Sequence, residues 1–363
     1  LFYYRNNPNY HPQHVDRWGN YKRQLPTLPP NDDFPYTVQD KLVQDSFSYA
    51  WHLDSIFMPN GSAYSIKYES DDYAYVQDKR AMVMCPIIGF ANSSTAALSA
   101  LSNILYTGSN SNQFLFFKLP NSGYVSDQNA YLQSFFDGIE NLLYQVNIKL
   151  SNEPDGFEKL SGFIPSTYLF NAVESGRAGY SIDPSIAWIQ LPYINKETHF
   201  NINQEYDYTF RRPTQQIHPI SQAGFELIRS EFPQTIHDSY DHGSMGNFLS
   251  ALDQFAAAAS NVLSGGEENY LLNTSRCDRI KIEGSYLRLN QPLGKKLGGG
   301  NRVKEIRLHD HWGKMQTTRE EPNLNFQYGS VYIYNLEDGK SSGVAAYEPM
   351  IGNDENPLAQ PLP

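Results

Sequence analysis

Residues 53–68 have the sequence LDSIFMPNGSAYSIKY, which carries the clearest local signal in the chain. Residues 53–58 are typical of a strand, and residues 59–62 (PNGS) contain Asn-Gly, the strongest pair for a hairpin turn. Over residues 64–69 (YSIKYE), apolar or aromatic residues alternate with polar ones, which is the period of a strand. The stretch therefore predicts a β-hairpin at the start of a β-rich chain.

Further strands are predicted on both sides of this hairpin. Residues 81–90 form an apolar stretch, and strands are expected at 114–117, 157–164 and 186–190. Near the C-terminal end, strands are marked by Ile280, Ile282, Leu287, Leu289, Val303, Ile306, Leu308, Val331 and Ile333, with turns at 292–294 and 298–300. The predicted fold is α+β and mainly β, with antiparallel sheets of short strands.

A helical insertion is predicted in the middle of the chain. Apolar residues at helical spacing run from Leu132 to Val146 after a candidate N-cap at Asp127. A second amphipathic pattern runs from Met245 to Leu263 and ends at Gly265-Gly266. Shorter helices are expected at 95–105 and 223–230. The first of these apolar stripes is interpreted as a core-packing face.

Five segments follow from these patterns, with no obvious linker between them. An insertion between two β portions of one sheet system is therefore favoured over two independent domains. No internal repeat of 20–50 residues is visible. The segments are an extended wrapping segment (1–50), a β-rich part (51–120), a mixed insertion with two long helices (121–270), a C-terminal β part (271–350) and an extended proline-containing tail (351–363).

Composition excludes several classes of protein. The net charge of −11 repels nucleic acid phosphates and anionic lipid, so neither is expected as a general partner. No apolar run is long enough to span a bilayer, which argues against membrane insertion. The two cysteines, Cys85 and Cys277, cannot build a disulfide-rich scaffold, and whether they pair with each other is left open.

His309 and His311 are the candidate metal ligands. Strand alternation places two histidines two residues apart on one face, where they can bind a divalent ion, with Asp310 on the other face. A third ligand would come from elsewhere, for example His242 or Asp241. The favoured alternative is an exposed polar strand end beside Trp312.

Acidic residues gather after the second strand of the hairpin. Several carboxylates together can hold calcium, although the EF-hand pattern is absent. A solvated strand end that forms salt bridges with Lys79 and Arg80 is the favoured interpretation. The cluster consists of Glu69, Asp71, Asp72 and Asp78, and Asp354 and Glu355 are treated in the same way.

Two other motifs point to structure rather than chemistry. Residues 238–244 (DSYDHGS) contain Ser, His and Asp but no G-x-S-x-G elbow, so they predict the N-cap loop of the following helix. Residues 294–300 (GKKLGGG) lack the phosphate-loop pattern and predict a hairpin loop.

Several segments at the two ends of the chain resemble one family. Taken in order, they are similar to the Rhs/YD-repeat-like large surface proteins of Bacteroidota. The matching segments are 16–21 (DRWGNY), 51–56 (WHLDSI), 59–61 (PNG), 68–73 (YESDDY), 297–306 (LGGGNRVKEI), 341–345 (SSGVA) and 347–349 (YEP). The chain departs from the family at residues 60–62, where Gly-Gly is usual, and it shows no tandem YD array.

The resemblance implies a non-catalytic role. It predicts a structural scaffold segment of a large exported protein, located outside the cell or on its surface, that forms a shell or display surface. The implied partners are other segments of the same large protein or a secreted or surface partner protein, and no cofactor is expected. The alternatives are a surface binding module for glycan or a partner protein, and a metal-assisted hydrolase that uses His309 and His311.

Overall fold

The computed structural model describes residues 2–3, 7–22, 39–107, 112–120, 127–150, 155–165, 171–191, 276–314, 325–349 and 354–359. The described part is mainly β, with antiparallel sheets, which confirms the predicted fold class. The chain divides into two compact units. Unit 1 comprises Leu1–Val83 and Asn290–Pro361, and unit 2 comprises Met84–Leu289 and Leu362–Pro363.

The strands are β1 (Phe2–Tyr3), β2 (Ser55–Phe57), β3 (Ala63–Tyr73), β4 (Tyr75–Val76), β5 (Lys79–Arg80), β6 (Met82–Ala91), β7 (Phe114–Lys118), β8 (Asn141–Lys149), β9 (Phe157–Pro165), β10 (Ala178–Tyr180), β11 (Ile186–Gln190), β12 (Ile280–Asn290), β13 (Lys296–His309), β14 (Gln327–Val331) and β15 (Val344–Ala345). The α-helices among the described residues are α1 (Lys41–Phe47) and α2 (Gln128–Ser134). Single 3-10 turns lie at Pro12–His14, Leu98–Ala100, Pro292–Gly294 and Trp312–Lys314. None of the described helices is long and apolar enough to cross a bilayer.

Unit 1 is organised around a five-stranded sheet with the order β1-β2-β3-β13-β14. The predicted hairpin is confirmed, because β2 and β3 pair antiparallel with Ser55 opposite Ser65 and Phe57 opposite Ala63. The long strand β13 pairs with β3 on one side and with β14 on the other. A small second sheet has the order β15-β4-β5.

Unit 2 contains a seven-stranded sheet with the order β10-β11-β7-β6-β12-β8-β9. Its interior is apolar, with Phe90, Phe116, Leu142 and Leu287 fully buried. The glycine at 162 has a packing reason. It lies opposite Tyr144 in the β8–β9 pair, and a Cβ at that position would overlap the buried phenol.

The predicted long helix over 132–146 is wrong. The first part is the short helix α2, which Asp127 caps as predicted by accepting a hydrogen bond from the Ala130 N–H at 2.9 Å. The rest of the pattern is the strand β8. Residues 142–146 are buried on both faces, and a run buried on both faces loses the alternation that marks a strand. Its apolar spacing therefore matched a helix by chance.

Other elements also differ from the sequence prediction. Residues 95–105 contain only one 3-10 turn, because Ser102 and Ile104 form bridges with neighbouring chain segments instead of helical bonds. The predicted turn at 298–300 lies inside β13 as a bulge. Within the predicted extended segment 1–50, residues 41–47 form α1, which Asp40 caps.

Part of the predicted insertion lies outside the described residues. This holds for the helices at 223–230 and 245–263 and for the motif at 238–244. The division into five segments therefore stays a prediction.

Candidate functional site

The most unusual feature of unit 1 is a group of five interacting polar side chains in its interior, which we call the buried ionic cluster. The four charged side chains are at most 2% exposed, and the phenol that joins them belongs to a residue 4% exposed. Charged side chains are almost never fully buried unless they are paired. The members are Arg17, Tyr73, Lys296, Glu348 and Glu355.

Each carboxylate of the cluster lies against both cations. Lys296 Nζ is 2.6 Å from Glu348 Oε1 and 3.3 Å from Glu355 Oε2. The Arg17 guanidinium approaches Glu355 Oε2 at 2.7 Å and Glu348 Oε2 at 3.6 Å. Two positive and two negative charges therefore balance within one buried site.

Tyr73 completes the cluster as a hydrogen-bond donor. Its hydroxyl donates to Glu348 Oε1 at 2.5 Å, and Lys296 Nζ lies 5.7 Å from the centre of its ring. Burial raises the pKa of Tyr73 far above its ordinary value, and the charges of Glu348 and Glu355 raise it further. The phenol therefore stays protonated and keeps donating at every physiological pH.

Strand pairing positions two members of the cluster. Tyr73 is the last residue of β3 and Lys296 the first of β13, and the two lie directly opposite each other in the ladder. Opposite residues on an antiparallel pair have neighbouring Cβ atoms. The β3–β13 register therefore places the lysine and the phenol next to each other.

A tight turn positions Arg17. The segment 15–21 closes with a bridge between Val15 and Tyr21. Asp16 Oδ1 accepts the N–H groups of Trp18 at 3.0 Å and Asn20 at 2.9 Å, as Asx turns do. Burial is the main influence on Asp16 and raises the pKa of its carboxyl, although these hydrogen bonds oppose it.

Trp18 packs against one member of the cluster and accounts for the glycine at position 298 of β13. Its indole packs edge-on against the ring of Tyr73, with 5.8 Å between the centroids. A Cβ at Gly298 would lie 3.0 Å from the indole nitrogen, and the φ of Gly298 is +148°. Glycine is needed there both for space and for backbone conformation. The pairing of β13 with β3 shifts register between Leu297 and Asn301, so the glycines between them form a bulge.

The cluster brings together segments that are remote in sequence. It joins the turn 15–21, the facing ends of β3 and β13, and the C-terminal residues Glu348 and Glu355. Removing one partner of a buried ion pair costs about 3–5 kcal/mol, because the other charge is left buried without compensation. The cluster therefore ties these segments to one specific arrangement.

A second ionic group lies on the same pair of strands and accounts for the acidic cluster predicted from the sequence. Arg302 of β13 binds Glu69 at 2.9 Å, Asp71 at 2.7 Å and Asp72 at 3.0 Å. Its guanidinium also stacks over the ring of Tyr334, 4.4 Å from the centroid. Partial burial tends to lower the pKa of Arg302, but its hydrogen bonds to Asp72 and Glu69 outweigh this effect and raise it.

These carboxylates pair with cations other than those predicted. The sequence suggested Lys79 and Arg80, whereas the ion pairs formed are with Arg302 and, at Glu69, with Lys41 at 3.4 Å and Lys304 at 3.7 Å. Asp78 lies apart, in the turn between β4 and β5. Within the described ranges, no three His, Cys, Asp or Glu side chains come together as a metal site.

The two predicted metal ligands lie near each other, beside the hairpin turn. The rings of His309 and His311 are nearly parallel, with 6.1 Å between their centroids. One ring nitrogen of His309 lies 3.2 Å from Ser65 Oγ, and Nδ1 of His311 lies 2.9 Å from the carbonyl oxygen of Gly61. Each imidazole therefore has one ring nitrogen engaged, and metal binding by this pair stays a prediction.

The remaining candidates are placed as follows. Asp310 is used structurally, because its Oδ1 accepts the N–H groups of Trp312 at 3.1 Å and Phe326 at 2.9 Å. His242 and Asp241 lie outside the described residues. Cys85 and Cys277 are both buried and are not joined in a disulfide.

The sequence did not predict the buried ionic cluster, although Arg17, Tyr73 and Glu348 lie in segments that carry the family resemblance. Arg17, Lys296 and Glu348 look like ordinary surface charges in a linear sequence. The available signal was their position beside aromatic and turn residues, as in DRWGNY and YEP. Such neighbours do not indicate which charged residues form ion pairs with each other in the fold.

The sequence matches no family model, no curated protein and no solved structure in comparisons with known proteins. The resemblance to Rhs/YD-repeat-like proteins therefore stays a prediction.

Proposed function

We propose that this chain is a non-catalytic structural segment of a large exported protein, similar to the Rhs/YD-repeat-like surface proteins. The observation that carries the proposal is the buried ionic cluster, since four of its five members come from segments that carry the resemblance or directly adjoin them, and the fifth, Glu355, follows in the C-terminal tail. Arg17 belongs to DRWGNY, Tyr73 ends YESDDY and Glu348 belongs to YEP. Lys296 directly precedes LGGGNRVKEI. Packing of the buried ionic cluster therefore accounts for the charged or aromatic residue that each of these segments supplies.

The chemistry of the cluster favours structure over catalysis. A catalytic carboxylate must be within reach of the substrate. Glu348 and Glu355 are at most 1% exposed and lie between Arg17 and Lys296, so a substrate has no access to them in this arrangement. The Tyr73 hydroxyl is also engaged, because it donates its hydrogen bond to Glu348.

A shell or display role explains why charges are buried at all. Apolar replacements often stabilise a protein as well as a buried ion pair does, so such pairs specify an arrangement more than they add stability. In a large β-structure made of many similar strands, a charge-matched cluster favours one register of β3 against β13. We place this function outside the cell or on its surface, with other segments of the same large protein as the partners.

The test has two parts. The first is the intact mass of the native polypeptide, which the proposal predicts to be well above the 41.3 kDa of this chain. The second is mild proteolysis of intact cells and of their culture medium. Release of peptides of this chain without lysis supports an exported location, whereas recovery only after lysis contradicts it.

A second candidate function is a surface binding module for a partner protein. The observation that favours it is that several large apolar side chains in or beside β14 are exposed. Phe326 is 59% exposed, Val331 65% and Ile333 82%. Exposed apolar surface of this kind marks interaction sites. A pull-down with the purified chain tests this function, which requires capture that is lost when Val331 is replaced by lysine.

A further inference from the structure

We propose that β14 is an edge at which two copies of this chain pair, strand to strand, about a two-fold axis at Gly329. This inference is independent of the scaffold function, because it concerns only the chemistry of one sheet edge. β14 is the last strand of its sheet, and all five of its residues are exposed. An exposed edge strand offers unpaired backbone groups to another strand.

The hydrogen bonds of β14 show which backbone groups face outward. Asp310 N–H donates to the Phe326 carbonyl at 3.2 Å, and Tyr332 N–H donates to the Lys304 carbonyl at 3.0 Å. In an antiparallel pair, backbone groups alternate between the two sides of the strand. The even-numbered residues therefore bond to β13. The N–H and C=O groups of Gln327, Gly329 and Val331 face away, and within the described part of the chain no other strand pairs with them.

Natural edge strands are usually protected by charges, prolines or a covering element. The segment from Asn325 to Asn335 (NFQYGSVYIYN) has neither charge nor proline, although 18% of the whole chain is charged. A chain with a net charge of −11 repels its own copies over most of its surface. This segment is a place where two copies meet without ionic repulsion.

The segment is complementary to itself in the antiparallel direction. With the axis at Gly329, the outward groups of Gln327 in one copy meet those of Val331 in the other, and the two Gly329 residues face each other. The same register places Phe326 opposite Tyr332, which gives an aromatic cross-strand pair on each side of the axis. These two rings are 59% and 42% exposed in the single chain, so they are available for such contact.

Gly329 fits the axis for a second reason. A Cβ at this position would overlap the carbonyl oxygen of Ile306 on β13. β14 can therefore lie this close to β13 only with glycine at position 329. With no side chain at the axis, the two copies also meet there without steric conflict. A two-fold pairing of one patch with itself closes at the dimer and does not propagate into a fibre.

The experiment is sedimentation velocity of the purified chain over a concentration series. We expect the mass to rise from 41.3 kDa toward twice that value. Val331→Pro removes an outward N–H and no bond to β13, so it should weaken the dimer about tenfold or more while the fold is kept. Val331→Lys places a charge in the contact and should act in the same direction. Ile182→Lys adds the same charge at an exposed residue outside the segment and should leave the dimer unchanged.

Residue-resolved hydrogen exchange identifies the surface used. In the dimer, the amides of Gln327, Gly329 and Val331 should become protected, whereas those of Tyr328 and Ser330 are already protected in the monomer. The proposal is overturned by a mass of 41.3 kDa at every concentration. It is also overturned by a dimer that survives Val331→Pro, or by one in which the three outward amides stay unprotected.

Discussion

Lys296 Nζ lies 2.6 Å from Glu348 Oε1, and neither side chain is more than 2% exposed. These residues are 52 positions apart in the sequence. Their contact joins the start of β13 to the segment YEP near the other end of unit 1. If this contact and its neighbours hold unit 1 in its fold, changes to them should lower its stability.

Neutralising Glu348 should be strongly destabilising. Glu348→Gln keeps the size of the side chain but leaves Lys296 and Arg17 with one carboxylate between them. We expect the free energy of unfolding to fall by about 3–5 kcal/mol, the range for breaking a buried pair. Urea unfolding followed by tryptophan fluorescence measures it. Glu337→Gln, at an exposed residue of the same unit, should change the value by no more than about 0.5 kcal/mol.

Replacing both partners by apolar residues should cost less than the sum of the two single changes. Lys296→Met and Glu348→Leu each leave an uncompensated buried charge, whereas the double variant removes both charges. A double-mutant cycle in urea should give a favourable coupling of about 1–3 kcal/mol. Additive single effects would show that the two charges do not depend on each other, contrary to the 2.6 Å contact.

Gly298→Ala tests the contact between the bulge of β13 and Trp18. The new Cβ would meet the indole nitrogen at 3.0 Å, on a backbone with φ of +148°. We expect destabilisation of about 1–3 kcal/mol together with a shift in tryptophan emission. Gly339→Ala separates the two causes, because that glycine also has a positive φ but has no heavy atom within 4 Å of the added Cβ. An equal loss at both positions would remove the steric explanation.

Zinc titration by calorimetry decides between the scaffold and hydrolase hypotheses. The scaffold account predicts no saturable zinc binding that depends on His309 and His311. A hydrolase that uses these two ligands predicts one bound ion per chain, lost in the His309→Ala/His311→Ala double variant. His52→Ala removes an imidazole elsewhere in the unit and serves as the control.

Local patterns in the sequence predicted the fold class because strands and hairpin turns can be recognised from neighbouring residues. The Asn-Gly turn and the alternation after it predict the β2–β3 hairpin, whose register depends on neighbouring residues. The strands β7, β9 and β11 were also predicted within one or two residues, although β7 and β11 pair with each other across a long stretch of chain. The pattern failed over β8, where burial on both faces removes the alternation.

The ionic cluster was beyond prediction because its contacts join distant segments. Nothing in the linear sequence pairs Arg17 with Glu355. Nor does the sequence distinguish a lysine that will be buried from one that will be exposed. The histidine pair was predicted from spacing alone, and the structure places the two rings together even though β13 ends at His309. Strand alternation does not explain this proximity, because His311 lies beyond β13 with a φ of +45°. The sequence also did not predict that Gly61 and Ser65 engage one nitrogen of each ring.

The most direct test of the central claim is the intact mass of the native polypeptide with a map of its terminal peptides. The scaffold account predicts a mass far above 41.3 kDa, with peptides that precede Leu1 or follow Pro363. A native product of 41.3 kDa that begins at Leu1 and ends at Pro363 would contradict it, and the binding and hydrolase functions would then take its place.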